Sequence, residues 1–312
     1  MTTSQARVID PILTRIARAA AMQAAMVANI LFPVVPVGAR GGRVISFSNE
    51  DFRLVNSARA PGTATKRVQF GYSSSNYSLV DFSLEGSVPI ELLQDAAAVP
   101  GIDKAQMAIT KVRNMQELER EKLAADLALN AASYAASNKL TLTGTDRWDQ
   151  YAEAASDPIA DVQAAREAVR AQIGVRPNVM TLGPKVLTAL RSHPKILDRL
   201  STASDRPPAT LAQLAALFEL EQVIEGGAIY HNGTTMVDVW GTFAHLAYTT
   251  PRSLIEMGSP NFGYTYQLED YPIAEEQYYD RNTKTWYFPV TDARQPQLVG
   301  ATAGFLFTTA VN

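Results

Sequence analysis

Three histidines, His193, His231 and His245, are the only imidazoles in the chain, and there is no cysteine. Transition-metal sites draw on thiolate and imidazole, so few donors remain for one here. His193 precedes Pro194 and reads as a helix-end residue, and His231 stands in a turn-like His-Asn-Gly. His245 falls within a strand pattern, where a core or interface histidine is the plainer reading than a ligand. Two carboxylate pairs, Glu269-Asp270 and Glu275-Glu276, have the residue types for acid–base work or for a hard cation. Such pairs are routine on strand edges and turns, where solvent or a salt bridge satisfies them. Tyr264, Tyr266, Tyr271, Tyr278, Tyr279 and Tyr287 could stack on a sugar or base, but alternating aromatics usually build a half-buried sheet. No phosphate loop, dinucleotide fingerprint, HExxH or GxSxG occurs. The expectation is a chain with no catalytic residues, no metal and no cofactor.

Charge points elsewhere. Residues 1–67 hold nine basic and three acidic side chains, a balance of +6, and the rest of the chain holds 19 basic and 28 acidic, a balance of −9. A basic front end on an acidic remainder suits contact with acidic protein surface, its own or a neighbour's. Arg7, Arg15, Arg18, Arg40, Arg43, Arg59, Lys66 and Arg67 are therefore the inter-subunit contact candidates. Nucleic acid is the alternative partner, but these residues are dispersed and lack interleaved aromatics. The start of the chain lacks a signal-peptide core, and the apolar stretch from Ala19 to Phe32 is too short to span a bilayer. A soluble protein made in a reducing cytosol, without membrane contact, is expected.

The elements are legible from periodicity. Residues 8–30 repeat apolar positions at helical steps, and the Pro- and Gly-rich stretch 32–42 then argues against a regular element. Strand alternation marks Val68, Phe70 and Tyr72, and again Val80, Phe82 and Leu84. A long helix is expected from Asp103 to about Ser137, roughly 50 Å at ~1.5 Å per residue. Its apolar seam would run through Val112, Met115, Leu123, Leu127, Ala131 and Tyr134, with Lys111, Arg113, Glu117, Arg120 and Lys122 around it. Residues 159–250 alternate helices and short strands, opened by Asp157-Pro158 and first punctuated by Gly174. The remainder is β: 264–268, a hairpin through 278–290, and 304–309.

That order of parts resembles the major capsid proteins of tailed double-stranded DNA bacteriophages, which share the Hong Kong 97-like fold. The similarity rests on ILFPVVPVGARGGRVISF and SARAPGTATKRVQFGYSSSNYSLVDFSLEGSVPIELLQDA at the front, then NMQELEREKLAADLALNAA. RPNVMTLGPKVLTALRSHPKILDRL and LAQLAALFELEQVIEGGAIYHN complete it. None is a strict motif; their order over nearly the whole chain carries the resemblance.

The resemblance implies an α+β chain with an N-terminal arm (1–44), an extended loop (45–88) and a peripheral domain (89–158 and 251–312). That domain would carry a spine helix at about 103–137, and 159–250 would form an inserted α/β axial domain. It implies self-assembly through pentamers and hexamers into an icosahedral head around the genome, in the host cytoplasm. Further implied partners are a portal protein, a separate scaffolding protein, optional decoration or cement proteins, and non-specific contacts with packaged double-stranded DNA. The scaffold is expected to be separate because the arm begins almost at Met1. An encapsulin nanocompartment shell shares the fold and is the nearest rival; a neck or tail structural protein and a cofactor-free enzyme are more distant ones. Some relatives crosslink an extended-loop lysine to a neighbour's asparagine, and Lys66 is the sole lysine in 43–88. An ordinary salt bridge is the plainer role for Lys66. Denaturing electrophoresis of purified particles is expected to show one band at 33.9 kDa; a ladder of higher bands would establish the crosslink.

Overall fold

A computed structural model describes residues 10–19, 26–46, 54, 56–59, 61–62, 64–65, 67, 73–97, 103–200, 207–250 and 260–312. The front end supplies α1 (Pro11–Ala19), α2 (Ala28–Leu31) and β1 (Val34–Val37). The helix expected over 8–30 is therefore described as two pieces, with 8–9 and 20–25 outside the described residues. The expectation of an irregular 32–42 is corrected, because β1 is a parallel partner of residues 265–268. The carbonyls of Pro33 and Val37 accept from Thr265 and Glu269, so alternate residues bond inward and Pro36 falls on the outward set. At a sheet edge a missing N–H costs nothing there.

β2 (Gly41–Ser46) and β3 (Ser73–Ser78) pair antiparallel. Most of the chain between them, with the expected strand through Val68, Phe70 and Tyr72, lies outside the described residues. β4 (Val80–Pro89) runs straight into α3 (Ile90–Ala97), and α4 (Lys104–Ala128) follows. Asp103 caps α4, its carboxylate accepting from the backbone of Ala105 and Gln106. At 25 residues α4 is ~37 Å long, shorter than expected. Asn130 ends the run by turning its side chain onto the Ala132 N–H, and 3-10 turns replace the helix through Asn138.

Beyond α4 come β5 (Lys139–Thr141), α5 (Pro158–Ile173), β6 (Val179–Leu182), α6 (Pro184–Ser192), α7 (Pro194–Leu200) and α8 (Leu211–Leu217). The sharp bounds of α5 come from Asp157, which accepts from the Ala160 N–H, and from Gly174 in the left-handed region at φ 73°. Strands close the chain: β7 (Gln222–Glu225), β8 (Ile229–His231), β9 (Met236–Asp238), β10 (Ala244–Ala247), β11 (Gly263–Leu268), β12 (Ile273–Ala274), β13 (Tyr278–Asp280), β14 (Thr285–Leu298) and β15 (Gly304–Thr308).

Two main sheets result. In the first, the 14-residue β14 takes β11, β12 and β13 along one edge and ten residues of β4 along the other, with β1 outside β11. The second has the order β5-β15-β10-β6-β7. Strands from before and after 159–250 thus complete the sheet of that section, β15 lying parallel to β5 and antiparallel to β10. One large core joins this sheet to α5, α6, Trp148, Trp240, Phe262 and the alanines at the end of α4.

The face that α4 buries differs from the apolar seam read in the sequence. Met115 is 55% exposed, whereas Arg113, Gln116, Glu117, Arg120 and Glu121 are buried. Beyond α4 itself, Arg113, Gln116 and Glu117 find partners on β14 and β4. Arg294 is fully buried and donates to Asp292 (2.9 Å), to Glu117 (3.2 Å) and to the Gln116 carbonyl. Arg113 donates to Glu117 (2.5 Å) and Asp292 (3.2 Å), and Arg120 pairs with Glu117. Gln267 donates to the second Asp292 oxygen at 2.7 Å, and Gln116 reaches the carbonyls of Phe82 and Val290. Burial lowers Arg120 to a pKa of about 10. Removing one partner from such a network leaves uncompensated buried charge. Arg294→Met is therefore expected to destabilise the unassembled subunit by about 3–5 kcal/mol, read from urea denaturation; a loss below about 1 kcal/mol would mean that the cluster behaves as a solvated surface pair.

Candidate assembly surfaces

The residues with chemical potential lie apart and are mostly spent on structure. His193 is buried, its Nε2 3.2 Å from the Ser156 hydroxyl and its ring edge-on to Tyr151. His245 is fully buried on β10, with Nε2 2.8 Å from the Tyr134 hydroxyl. That hydroxyl spends its single proton on the Ala128 carbonyl at 2.6 Å, so His245 donates from Nε2 and Nδ1 is left bare. Burial lowers its pKa to about 3. The joint fastens the end of α4 to the second sheet. His231 is exposed at the end of β8. Glu275 accepts from the Thr291 hydroxyl, and Glu276, Glu269 and Asp270 are solvent-facing. The aromatic residues stack on each other, Tyr77 on Tyr266 and Tyr278 on Tyr287. Among the described residues no group of three or more His, Asp or Glu could hold a metal ion.

The front end is held by its own chain to a greater extent than its composition suggests. Glu121 on α4 accepts from the backbone N–H groups of Val27 and Ala28, both at 2.8 Å, and from the indole of Trp240 at 2.7 Å. Burial raises the Glu121 pKa, against the three donors that pull it down. Phe32 then packs on Phe262. A Cβ on Gly263 would fall 2.4 Å from the Phe32 ring, so only glycine lets the strap seat there. Farther forward, the Thr14 hydroxyl exchanges hydrogen bonds with the backbone of Ala274, and Arg18 donates to the carbonyls of Pro272 and Asp270. Of the two surfaces open to the front end, its own or a neighbour's, residues 10–19 and 26–37 rest on their own. Short runs of residues there meet partners some 230–260 positions away, which no local pattern reveals.

The basic contact candidates divide accordingly. Arg18 is used as described, and Arg40 makes a two-oxygen pair with Asp81 at 2.7 Å. Arg15, Arg43, Arg59 and Arg67 are exposed, while Arg7 and Lys66 lie outside the described residues. Sequence reasoning missed Glu121, Arg294 and Asp292. Their trace is the spacing of Arg113, Glu117, Arg120 and Glu121 at three- and four-residue steps, which places them on one helix face.

What the molecule leaves open is surface. Along its ten residues β4 pairs with β14 alone among the described strands, and Val80 and Leu84 are 47% and 40% exposed. An unpaired strand edge with apolar side chains is a template for another chain. Met107 and Met115 are exposed on α4, and Leu54 in the excursion between β2 and β3 is fully exposed. Open edges, a basic excursion and a long helix fastened across two sheets define a subunit built for association.

Comparison with known proteins agrees. The family model for phage major capsid protein E matches residues 105–259. The major capsid protein of Burkholderia phage BcepMu is 31% identical over 310 residues, covering 98% of this chain and 97% of that one. The crystal structure of a phage-related protein from Bordetella bronchiseptica RB50 superposes with a TM-score of 0.80 at 39% identity, covering 97% and 98% of the two chains. The capsid of cyanophage P-SCSP1u shares the fold, with a TM-score of 0.58 at 9% identity over 92% and 89% of the chains. The class is thus a structural shell subunit with the Hong Kong 97-like fold. The chain belongs to the family of phage major capsid proteins.

Two outcomes follow from the joints. Glu121→Gln keeps one acceptor oxygen and places an NH2 among N–H donors; it is expected to cost about 2–4 kcal/mol and to raise amide exchange at Val27 and Ala28. The neutral His245 makes the subunit lose stability as pH falls. Its unfolded form takes up a proton below about 6.5, and the native form only near 3. The loss is about 1.4 kcal/mol per pH unit across that window. His245→Phe should remove that component of the slope in denaturation measured at stepped pH.

Proposed function

We propose that this chain is the repeated subunit of an icosahedral phage head, joining copies into pentamers and hexamers that close around double-stranded DNA. The observation that carries the reading is likeness to a phage major capsid protein across 98% of the chain; the open edge of β4 and its exposed Val80 and Leu84 support it. In this reading residues 1–44 are the arm and 45–88 the extended loop that reaches a neighbour. Residues 89–158 with 251–312 form the peripheral domain, and 159–250, completed by β5 and β15, the axial domain at the symmetry axes. Portal and scaffolding proteins, and optionally decoration or cement proteins, complete the particle, which assembles in the bacterial cytoplasm. The genome is held through dispersed, sequence-independent contacts, for which the modest basic excess of the front end is suited.

An encapsulin shell would use the same fold around cargo protein. The two curated relatives, matched over 98% and 84% of the chain, are phage major capsid proteins, which favours the genome container. Electron microscopy of the chain expressed alone, and again with its neighbouring genes, tests the assignment. Closed shells that fill with DNA only when a portal and packaging motor are present are expected. Stable monomers, open tubes, or shells loaded with an enzyme would each overturn it.

The basic excursion gives a sharper test. The double variant Arg59→Glu with Arg67→Glu is expected to fold normally and to lower shell yield at least about tenfold, a difference that high salt narrows. Unchanged yield in sedimentation would remove these residues from the interface.

A further inference from the structure

The hairpin β8–β9 ends in an exposed turn, His231-Asn232-Gly233-Thr234-Thr235, that none of the assembly surfaces uses. Its hydrogen bonds are unusual in what they bring together. The backbone N–H of Gly233 donates to Nδ1 of His231 at 3.1 Å. The side-chain oxygen of Asn232 accepts two backbone N–H groups, from Thr234 and Thr235, each at 2.9 Å. The Asn232 N–H is tied across the turn to the Thr235 carbonyl at 3.1 Å. Gly233 has φ +99°, a conformation that favours glycine, and nothing lies within 4 Å of where its Cβ would be.

We propose that His231, Asn232 and Gly233 form a self-modification site at which the turn converts Asn232 to an aspartyl or isoaspartyl residue. The peptide nitrogen of Gly233 is the nucleophile, and it is a poor one until its proton is withdrawn. Nδ1 of His231 already accepts that proton in a hydrogen bond and acts as the general base. The nitrogen then bonds to Cγ of Asn232. Charge that develops on Oδ1 meets the two N–H donors of Thr234 and Thr235, an arrangement that stabilises an oxyanion. The Cγ–Nδ2 bond breaks, the imidazolium returns its proton to the departing nitrogen, and ammonia leaves. Water opens the resulting five-membered imide on either side, giving aspartate or isoaspartate. The net change is asparagine plus water to a carboxylic acid plus ammonia, with no oxidant or cofactor. Each event adds one negative charge at the hairpin tip, and the isoaspartyl product also inserts an extra backbone carbon there.

Incubating the folded full chain at neutral pH and following the peptide that contains residue 232 by mass spectrometry tests the proposal. Folded wild type is expected to convert Asn232 at least about tenfold faster than folded His231→Ala, and added imidazole should partly restore the variant. In concentrated urea the two chains should react at the same rate, because the base is no longer held beside Gly233. Circular dichroism verifies that the variant, altered only at an exposed residue, keeps its fold. Equal rates for the two folded chains, whether fast or slow, would overturn the role of His231 and leave any conversion to the Asn-Gly sequence alone.

Discussion

A helix that buries ionised side chains has far fewer places to rest than one that buries leucine. The inner face of α4 carries Arg113, Gln116, Glu117, Arg120 and Glu121, and desolvating them is tolerable only where counter-charges stand in register. Asp292 and Arg294, two residues apart on β14 and thus on one face of it, meet that demand. An apolar helix can slide by a turn on a sheet at modest cost; this one cannot. Glu121 extends the constraint outward by gathering two backbone groups of the front strap and the Trp240 indole on a single carboxylate. The first sheet, the strap and the turn at Trp240 therefore take their positions from the polar face of one helix.

This explains which parts of the architecture could be read beforehand. Asp103, Asp157-Pro158 and Gly174 mark their helix ends by local hydrogen bonding and backbone preference, so they are visible without the fold. The short strands of 179–182 and 244–247, the hairpin into β14 and the last strand follow from alternation and turn chemistry. The seam of α4 was misread for a physical reason: charge is ordinarily a sign of solvent, and the groups that reverse this lie about 177 positions away in sequence. β1 was misread because a proline is penalised inside a sheet, while its edge position appears only after β11 is in place. The lodging of α1 against β12 has no local signature at all.

The candidate site was legible in outline only. Reading His245 as a core residue agrees with its burial against Tyr134. The basic residues of the front end were chosen by charge, a property that cannot separate Arg18 and Arg40, which fold back on their own chain, from Arg43 and Arg67, which face solvent. Besides those outward residues, the edge of β4 away from β14 pairs with no other described strand.

The place of β15 bears on how such a subunit is made. It is the last strand in chain order, yet it is inserted between β5 and β10 in the interior of the second sheet. A ribosome therefore delivers the strands on either side long before the one that zips them together, and the nascent molecule waits with a slot in its centre. Translation that stalls upstream of residue 304 yields a polypeptide in which nothing bridges β5 and β10, so the second sheet cannot close.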